Sequence, residues 1–498
     1  MAVYDALIIG TGMAGLAAAR ELSRCHLRVV LLDARTRTGG RISTARVQSQ
    51  PVDLGGSMVH GFHEGNPVAN LITRDLDLDV HIPKGAKGLV VGPHGPLAEA
   101  DATSLLATSS QNAFSPAAGT SPDASVASLL LPTLEHDPRL VALARTAEIG
   151  AGTRLEDQAA VFAGFEQGFK GTDAFPLGGY GEVIDNLVAD VKAAGGQVHL
   201  GAEVTSVDDL GEGKGVRVST RKGDSYSARA VISTIPHAVL QQTPPTFSPP
   251  LSSTFLSAVE RMRTGALEKV VLSYPSAWWP SPSDTGSFLL LPLSGEPASS
   301  AQTLAEVFER TVIPVASFQR IGATPHPTLL AYVGAAAAHA IARYPADQVA
   351  AAFHEYLVRR LSISSSSPSS STSTDATSAA AAPPHAAAPP APTTTLVTTW
   401  LHDPFSLGAT SAPTPLASSS DGTRASPLDF HIVSRPTWGG RLGWAGEHTD
   451  VDQHGSVAGA FISGRREGRR VCEALEAWAA REEGESSAAA AAQEEVSA

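Results

Sequence analysis

The sequence predicts an α/β protein of two interleaved domains, and three observations predict it. The first is a strand–helix–strand unit at the start: Ala6 to Ile9 form an apolar run that ends on glycines, Met13 to Arg24 carry a helical pattern, and Leu27 to Leu32 return as a Val-rich run. The second is that the chain closes as it opens. "RLGWAG" followed by "SVAGAFISGRREGRRVCEALEAW" reads as a last strand, a glycine-rich junction and a long helix. The third is length, because 498 residues exceed what one hydrophobic core usually organises. If both junctions serve one ligand, that ligand is long and the two ends of the chain meet on it.

The first junction has a specific chemistry. "GTGMAG" spaces Gly10, Gly12 and Gly15 so that the first permits a tight turn, the second lets backbone approach a pyrophosphate, and the third lets helix pack on strand. Met13 and Ala14 open the helix, whose N-terminal amides and dipole favour phosphate. Asp33 closes the second strand about twenty residues later, where a carboxylate accepts ribose hydroxyls. Glycines alone would also suit an ordinary turn. With strand, helix and acid in place they predict a Rossmann-like dinucleotide-binding unit.

Further along, Glu182 to Ala194 reads as an amphipathic helix. "GGQVHLGAEVTSVDD" and "KGVRVSTRKGDSYSARAVISTIP" read as an antiparallel meander ending in a buried strand. Residues 108–127 are Ser/Ala/Pro-rich, and residues 417–427 read as a loop. Residues 362–395 are low in complexity; such composition buries too little apolar area to offset its ordering entropy, so a disordered surface insertion is expected there. The acidic, alanine-rich tail at 481–498 is expected to be disordered as well.

Lys and Arg number 36 against 49 Asp and Glu, a formal charge of −13, which removes the overall attraction that nucleic acid or an anionic membrane requires. No nucleic-acid or membrane partner is expected, and nothing in the sequence sets the oligomeric state. The only two cysteines, Cys25 and Cys472, exclude a disulfide framework and the common zinc patterns, and both read as buried inert thiols. No metal site is expected. Met1 leads into "YDALIIG" without a signal sequence, and no apolar run reaches spanning length, so a cytoplasmic protein is expected.

Past Asp33 the sequence continues "DARTRTGGRI" and then "VDLGGSMVHG". Here it resembles the flavin-containing amine oxidase family of monoamine and polyamine oxidases, L-amino-acid oxidases and lysine-specific histone demethylases. "FPLGGYGEVIDNLV", "VHLGAEVTSV", "LEKVVLSY", "TTWLHDPFSLGA" and "WAGEHTD" follow in the family's order. The resemblance implies a Rossmann-like FAD-binding domain (1–75, 180–255 and 396–480) interleaved with an α+β substrate domain (76–179 and 256–361), with 362–395 inserted.

The resemblance also implies roles. Ala34 and Arg35 would lie near the adenosine ribose, Gly40 and Arg41 near the pyrophosphate, and Val204 would hold adenine through its backbone. Gly55, Gly56, Ser57 and Met58 would pass under the isoalloxazine. Gly446 and Glu447 would meet the ribityl region, and the helix near Ser456 and Val457 would aim its N-terminus at flavin N1 and the C2 oxygen, favouring the negative charge of reduced flavin. Trp400 would pack near the ring. Lys269 would reach flavin N5 through a water, and His60 would help tune the amine. Each also has a plain structural reading: a helix cap for Glu447, a core ring for Trp400, an exposed strand edge for Lys269, an ordinary loop for His60. Glu166 would attract a cationic amine or be a solvated helix residue.

The function implied is an FAD-dependent oxidase passing hydride from an amine C–N unit, polyamine-like, to flavin N5, with O2 yielding hydrogen peroxide and the imine hydrolysing. No cysteine stands in the stretch Ala409, Thr410, Ser411, Ala412, where monoamine oxidases bond flavin covalently, so FAD would be held noncovalently. Ala412 or its neighbours and Ser456 stand where two aromatic rings often flank the substrate, which leaves open an oxidase or desaturase of an apolar metabolite. A noncatalytic dinucleotide-fold binding protein is the remaining alternative; the demethylase reading lacks a helical insertion or a basic nucleosome-facing segment.

Overall fold

In the computed structural model, which describes residues 3–83, 88–279, 286–320, 324–362 and 388–497, the opening unit is β1 (Val3–Ile9), α1 (Met13–Arg24) and β2 (Val29–Asp33). Every residue of β2 is buried, as a parallel strand covered on both faces must be. Leu7, Ile8, Val30 and Leu31 are fully enclosed, each worth ~1.5–3 kcal/mol relative to exposure.

α2 (Tyr180–Ala193) leads into the strand Gln197–Leu200, which pairs in parallel with β2. The predicted meander is therefore shorter by one strand. Val204–Asp209, Val216–Thr220 and β3 (Ser225–Ser233) form it, antiparallel. The chain turns at Gly201, φ 64°, where the amides of Gly201 and Ala202 bond the carbonyls of Arg35 and Asp33. That places Gln197–Leu200 in the parallel layer. The second half of β3 pairs with the late strand Leu442–Trp444, so residues more than two hundred apart lie side by side. Among the described residues these strands belong to an eight-stranded sheet.

Among the described residues a second, seven-stranded sheet has β4 (Leu267–Ser273) next to its edge, paired with Thr328–Gly334 on one side and with the edge strand Thr394–Val397 on the other. It continues through Ile313–Ser317, Ser287–Leu290 and Gly88–Gly92. Thr394–Val397 corrects two expected boundaries: the sequence puts residues 394 and 395 in the inserted segment and 396 and 397 in the first domain, yet all four belong to the second sheet. Residues 363–387 of the expected insertion lie outside the described residues. Residues 417–427, expected as a loop, carry a turn held by Asp421 Oδ1, which accepts from Thr423 N at 2.8 Å and from Ser419 Oγ at 2.7 Å.

The last helix, α3, runs Val457–Ser497. The tail expected to be disordered from residue 481 is thus helical as far as Ser497. Alanine and glutamate are strong helix formers, and extending a nucleated helix avoids the cost of a new nucleus. α3 lies against α1 through small residues: a Cβ on Gly464 would stand 2.1 Å from Ala14 O, and one on Gly468 2.8 Å from Glu21 Cβ. This close approach also corrects the reading of the cysteines as inert thiols. Cys25, at the end of α1, and Cys472, in α3, form a disulfide across 447 residues, with their Cα atoms 6.4 Å apart.

Candidate active site

The carboxyl ends of β1 and β2 meet at the first glycine turn. Gly10 has φ 107°, and a Cβ there would strike Thr234 Oγ1 at 2.3 Å, so only glycine fits. A Cβ on Gly15 would come 2.1 Å from Gly10 O, which lets α1 seat directly on the turn. α1 begins behind Gly12 with no capping side chain, leaving its N-terminus available to an anion. Asp33 is buried; its Oδ2 accepts from Thr11 N (2.8 Å) and Thr11 Oγ1 (2.6 Å), and its Oδ1 from Arg35 N (2.8 Å). It braces the turn it faces.

Arg35 Nη1 donates to Asp403 and its guanidinium lies 5.5 Å from the Phe405 ring centre, while its Nη2 is buried and has no protein partner. Such a donor calls for a ligand acceptor. Arg41 donates to Ala409 O (2.8 Å) and to Glu447 Oε1 (2.7 Å). Glu447 also accepts from Gly455 N at 2.8 Å, from Ser411 N at 3.2 Å and from Ser411 Oγ. Burial pushes its carboxyl upward, but Arg41 and these donors prevail and hold it down to about 2. Its neighbour His448 is driven by burial to about 3 and is neutral near pH 7.

At the other end the backbone of Gly55 and Gly56 leaves no room for a side chain. A Cβ on Gly55 would fall 1.8 Å from Arg41 O, and one on Gly56 2.9 Å from Val457 Cγ2. Val457 begins α3, and Ser456 Oγ accepts from Gly459 N at 3.0 Å as its cap. The second junction therefore stands beside the 55–56 turn.

Lys269 does not sit on an exposed strand edge. It is 3% exposed, and its Nζ donates to Asp53 O (2.9 Å), Gly55 O (2.6 Å) and Ser57 Oγ (3.3 Å), 5.2 Å from the Tyr332 ring centre. Burial lowers it to about 8, and Asp53 opposes that fall. Trp400 Nε1 donates to Leu54 O at 3.1 Å, bracing the same segment. His60 stands at the rim, well exposed, with Nδ1 3.0 Å from Asp173 Oδ2. Glu166 pairs with His454 at 3.2 Å and lies outside the cavity wall.

One cavity of about 770 Å³ gathers these parts, within the ~300–1,000 Å³ usual for small-molecule sites. The site residues named from the sequence line it, except Gly15, which packs behind the turn, and Glu166 and Ala412, which stand outside its wall. The sequence reading missed Thr234, Ile235 and Pro236, which follow β3, and Phe405 and Tyr332. The first three carry a legible signal, since ligands in open α/β sheets bind beyond the carboxyl ends of strands. Phe405 and Tyr332 carried none. The glycine cradles, the open end of α1 and the unpaired Arg35 Nη2 suit a phosphate-bearing dinucleotide with a flat head.

A family model described as flavin containing amine oxidoreductase matches residues 13–102 and 141–472. The chain belongs to this family. The fold class read from the sequence is the family's fold, and membership implies a flavin cofactor. A probable polyamine oxidase 4 of Arabidopsis thaliana is 28% identical over 55% of this chain and 59% of its own length, and a polyamine oxidase 3 of Oryza sativa subsp. japonica is 28% identical over 56% and 60%. A lysine-specific histone demethylase 1 homolog 3 of Arabidopsis thaliana is 26% identical over 94% of this chain and 30% of that protein. The chain thus spans about three fifths of the two polyamine oxidases and under a third of the demethylase. Among the described residues no helix is long and apolar enough to cross a membrane, and no cluster of His, Cys, Asp or Glu could hold a metal ion.

Proposed function

We propose that the protein is an FAD-dependent oxidase of amines. The observation that carries this reading is the meeting of both glycine-rich junctions on one cavity with a buried lysine in its wall. FAD held there noncovalently supplies a two-electron acceptor for hydride from the amine α-carbon, with O2 as the final acceptor and hydrogen peroxide as product.

The chain's own residues bind and orient. Gly10, Gly12 and the N-terminus of α1 take the pyrophosphate, Asp33, Ala34 and Arg35 the adenosine ribose, Val204 the adenine, and Arg41 and Gly40 the phosphate flank. Gly55 to Met58 and Trp400 form the floor of the ring site, and the capped start of α3 faces it. Hydride leaves an amine carbon only when the nitrogen lone pair is free, so the wall must accept a neutral amine. A Lys269 ammonium engaged with two carbonyl oxygens and the Ser57 hydroxyl fixes the floor beneath that amine. His60, at the rim, is placed to meet the amine on entry. The imine product hydrolyses in water.

The polyamine oxidases among the relatives favour a polyamine-like substrate. A second reading, oxidation of a methylated lysine side chain, draws on the demethylase match over nearly the whole chain. The test is anaerobic addition of spermine, spermidine, N-methyl-lysine and benzylamine to the yellow protein, with peroxide assayed on readmitting air. Bleaching by an amine followed by peroxide supports the proposal; a colourless protein that takes up no FAD, or one that no amine bleaches, defeats it. Release of the flavin on acid precipitation checks that it is noncovalent.

A further inference from the structure

The motif "FPLGGYGEV" has no part in the proposed chemistry, yet it bonds Asp53, whose carbonyl Lys269 holds. α2 begins at Tyr180 behind Gly179, which has no side chain to cap it. The cap comes instead from another segment. Asp53 accepts from Tyr180 N at 3.1 Å (Oδ1) and 3.2 Å (Oδ2), and Thr44 Oγ1 accepts from Gly181 N at 2.8 Å while donating to Asp53 Oδ1. Two glycines make this approach possible: a Cβ on Gly179 would lie 2.8 Å from Thr44 Cγ2, and one on Gly181 2.8 Å from Thr44 Oγ1. A helix N-terminus favours a carboxylate, so α2 holds Asp53 charged in a buried place.

Tyr180 also grips the far end of the segment, its hydroxyl donating to Met58 O at 3.2 Å. α2 therefore holds residues 53–58 at both ends. Between those holds lie Asp53 O, Gly55 O and Ser57 Oγ, the three acceptors of the Lys269 ammonium. An ammonium has three donors and here each has one acceptor. None of these acceptors is a carboxylate, so the charge that balances the ammonium is the side chain of the residue whose carbonyl it already holds.

We propose that Asp53 is a positioning residue for Lys269: docked on the N-terminus of α2 by the "GGYG" turn, it fixes the carbonyl cradle of residues 53–57 and supplies the counter-charge that keeps the buried lysine an ammonium. This rests on the reading of Lys269 as part of an amine oxidase site. The groups facing the pair are Tyr332 on Thr328–Gly334, whose ring lies under Nζ, and Tyr180 on α2; burial raises both phenols above their ordinary range, so neither is charged near neutral pH. Glu268, adjacent on β4, bonds Thr398 Oγ1 and Leu401 N instead. Burial pushes Asp53 up to about 6, against Thr44, Lys269 and Tyr180 N, which lower it.

The test follows the Lys269 side-chain nitrogen by 15N NMR in the flavin-loaded protein as pH is raised; with only seven lysines in the chain, Lys269→Met assigns the signal. The parent is expected to show two inflections, one near 6 from Asp53 and one near 8 from Lys269 itself. In Asp53→Asn the first is lost and the second moves down by about one pH unit, the lower end of what a nearby opposite charge produces. The pH profile of flavin reoxidation by O2 shifts the same way. An unmoved lysine inflection in Asp53→Asn overturns the proposal. Should that variant not fold, the parent titration decides alone, and a single inflection overturns it. Because the titration needs no substrate, a protein that oxidises no amine defeats the proposed function and leaves this test standing.

Discussion

Glu447→Gln tests what holds the cavity together. Glu447 joins three segments, Arg41 from the stretch after β2, Ser411 from the loop after Thr394–Val397, and Gly455 from the second junction. Its carboxyl lies at about 2 in the folded chain against an ordinary 4.5. At about 1.4 kcal/mol per pH unit, ionisation of this one group contributes roughly 3 kcal/mol to folding. The folded value is the depressed one, so the contribution is complete above 4.5 and is lost as pH falls toward 2. Glutamine keeps the size and one acceptor but leaves Arg41 without its counter-charge. Urea unfolding of both proteins at pH 7, 5.5, 4 and 3 is the assay. The variant is expected to be roughly 3 kcal/mol less stable at pH 7, with a gap that narrows in acid as the parent carboxylate is protonated. A gap under about 1 kcal/mol at pH 7, or one that acid leaves unchanged, refutes the reasoning.

Lys269→Met is expected to slow flavin reoxidation by O2 more than reduction by amine, and stopped-flow measurement of the two half-reactions checks it. Burial holds Lys269 at about 8 against an ordinary 10.5, so the parent gains stability as pH rises from 8 toward 10.5, at up to about 1.4 kcal/mol per unit. Denaturation midpoints of the methionine variant should lack that slope. Gly55→Ala would place a Cβ 1.8 Å from Arg41 O, and flavin content after purification should fall at least tenfold. Cys472→Ser opens a bridge spanning 447 residues and should cost about 2–4 kcal/mol in urea unfolding, matched by adding reductant to the parent.

The parts of the fold legible in the sequence are those whose signals are local. The unit from β1 to β2 could be read because strand, glycine turn, helix and acid sit within about thirty residues, and the last strand and helix because their pattern repeats the opening one. Gln197–Leu200 was misplaced because parallel pairing with β2 is a long-range choice that alternation does not record. The helical tail was missed because composition that cannot build a core can still extend an existing helix. The disulfide was missed because it depends on how closely α1 and α3 pack, which is set by Gly464 and Gly468 rather than by the cysteines. At the cavity, the residues that a ligand backbone must pass closely were visible as glycines. Tyr332 was not, since an aromatic in a strand looks the same under a lysine as in any core.

The cavity draws on residues near 10 and on residues near 456, and this orders events during synthesis. A growing chain exposes its phosphate turn long before the strand Leu442–Trp444 and the start of α3 leave the ribosome. Until then β3 has an open edge along its second half and the face of α1 that packs on α3 has no cover. Capacity for the coenzyme therefore arrives late and all at once, and a translation product stopped before residue 442 would be a client for chaperones rather than a weaker binder.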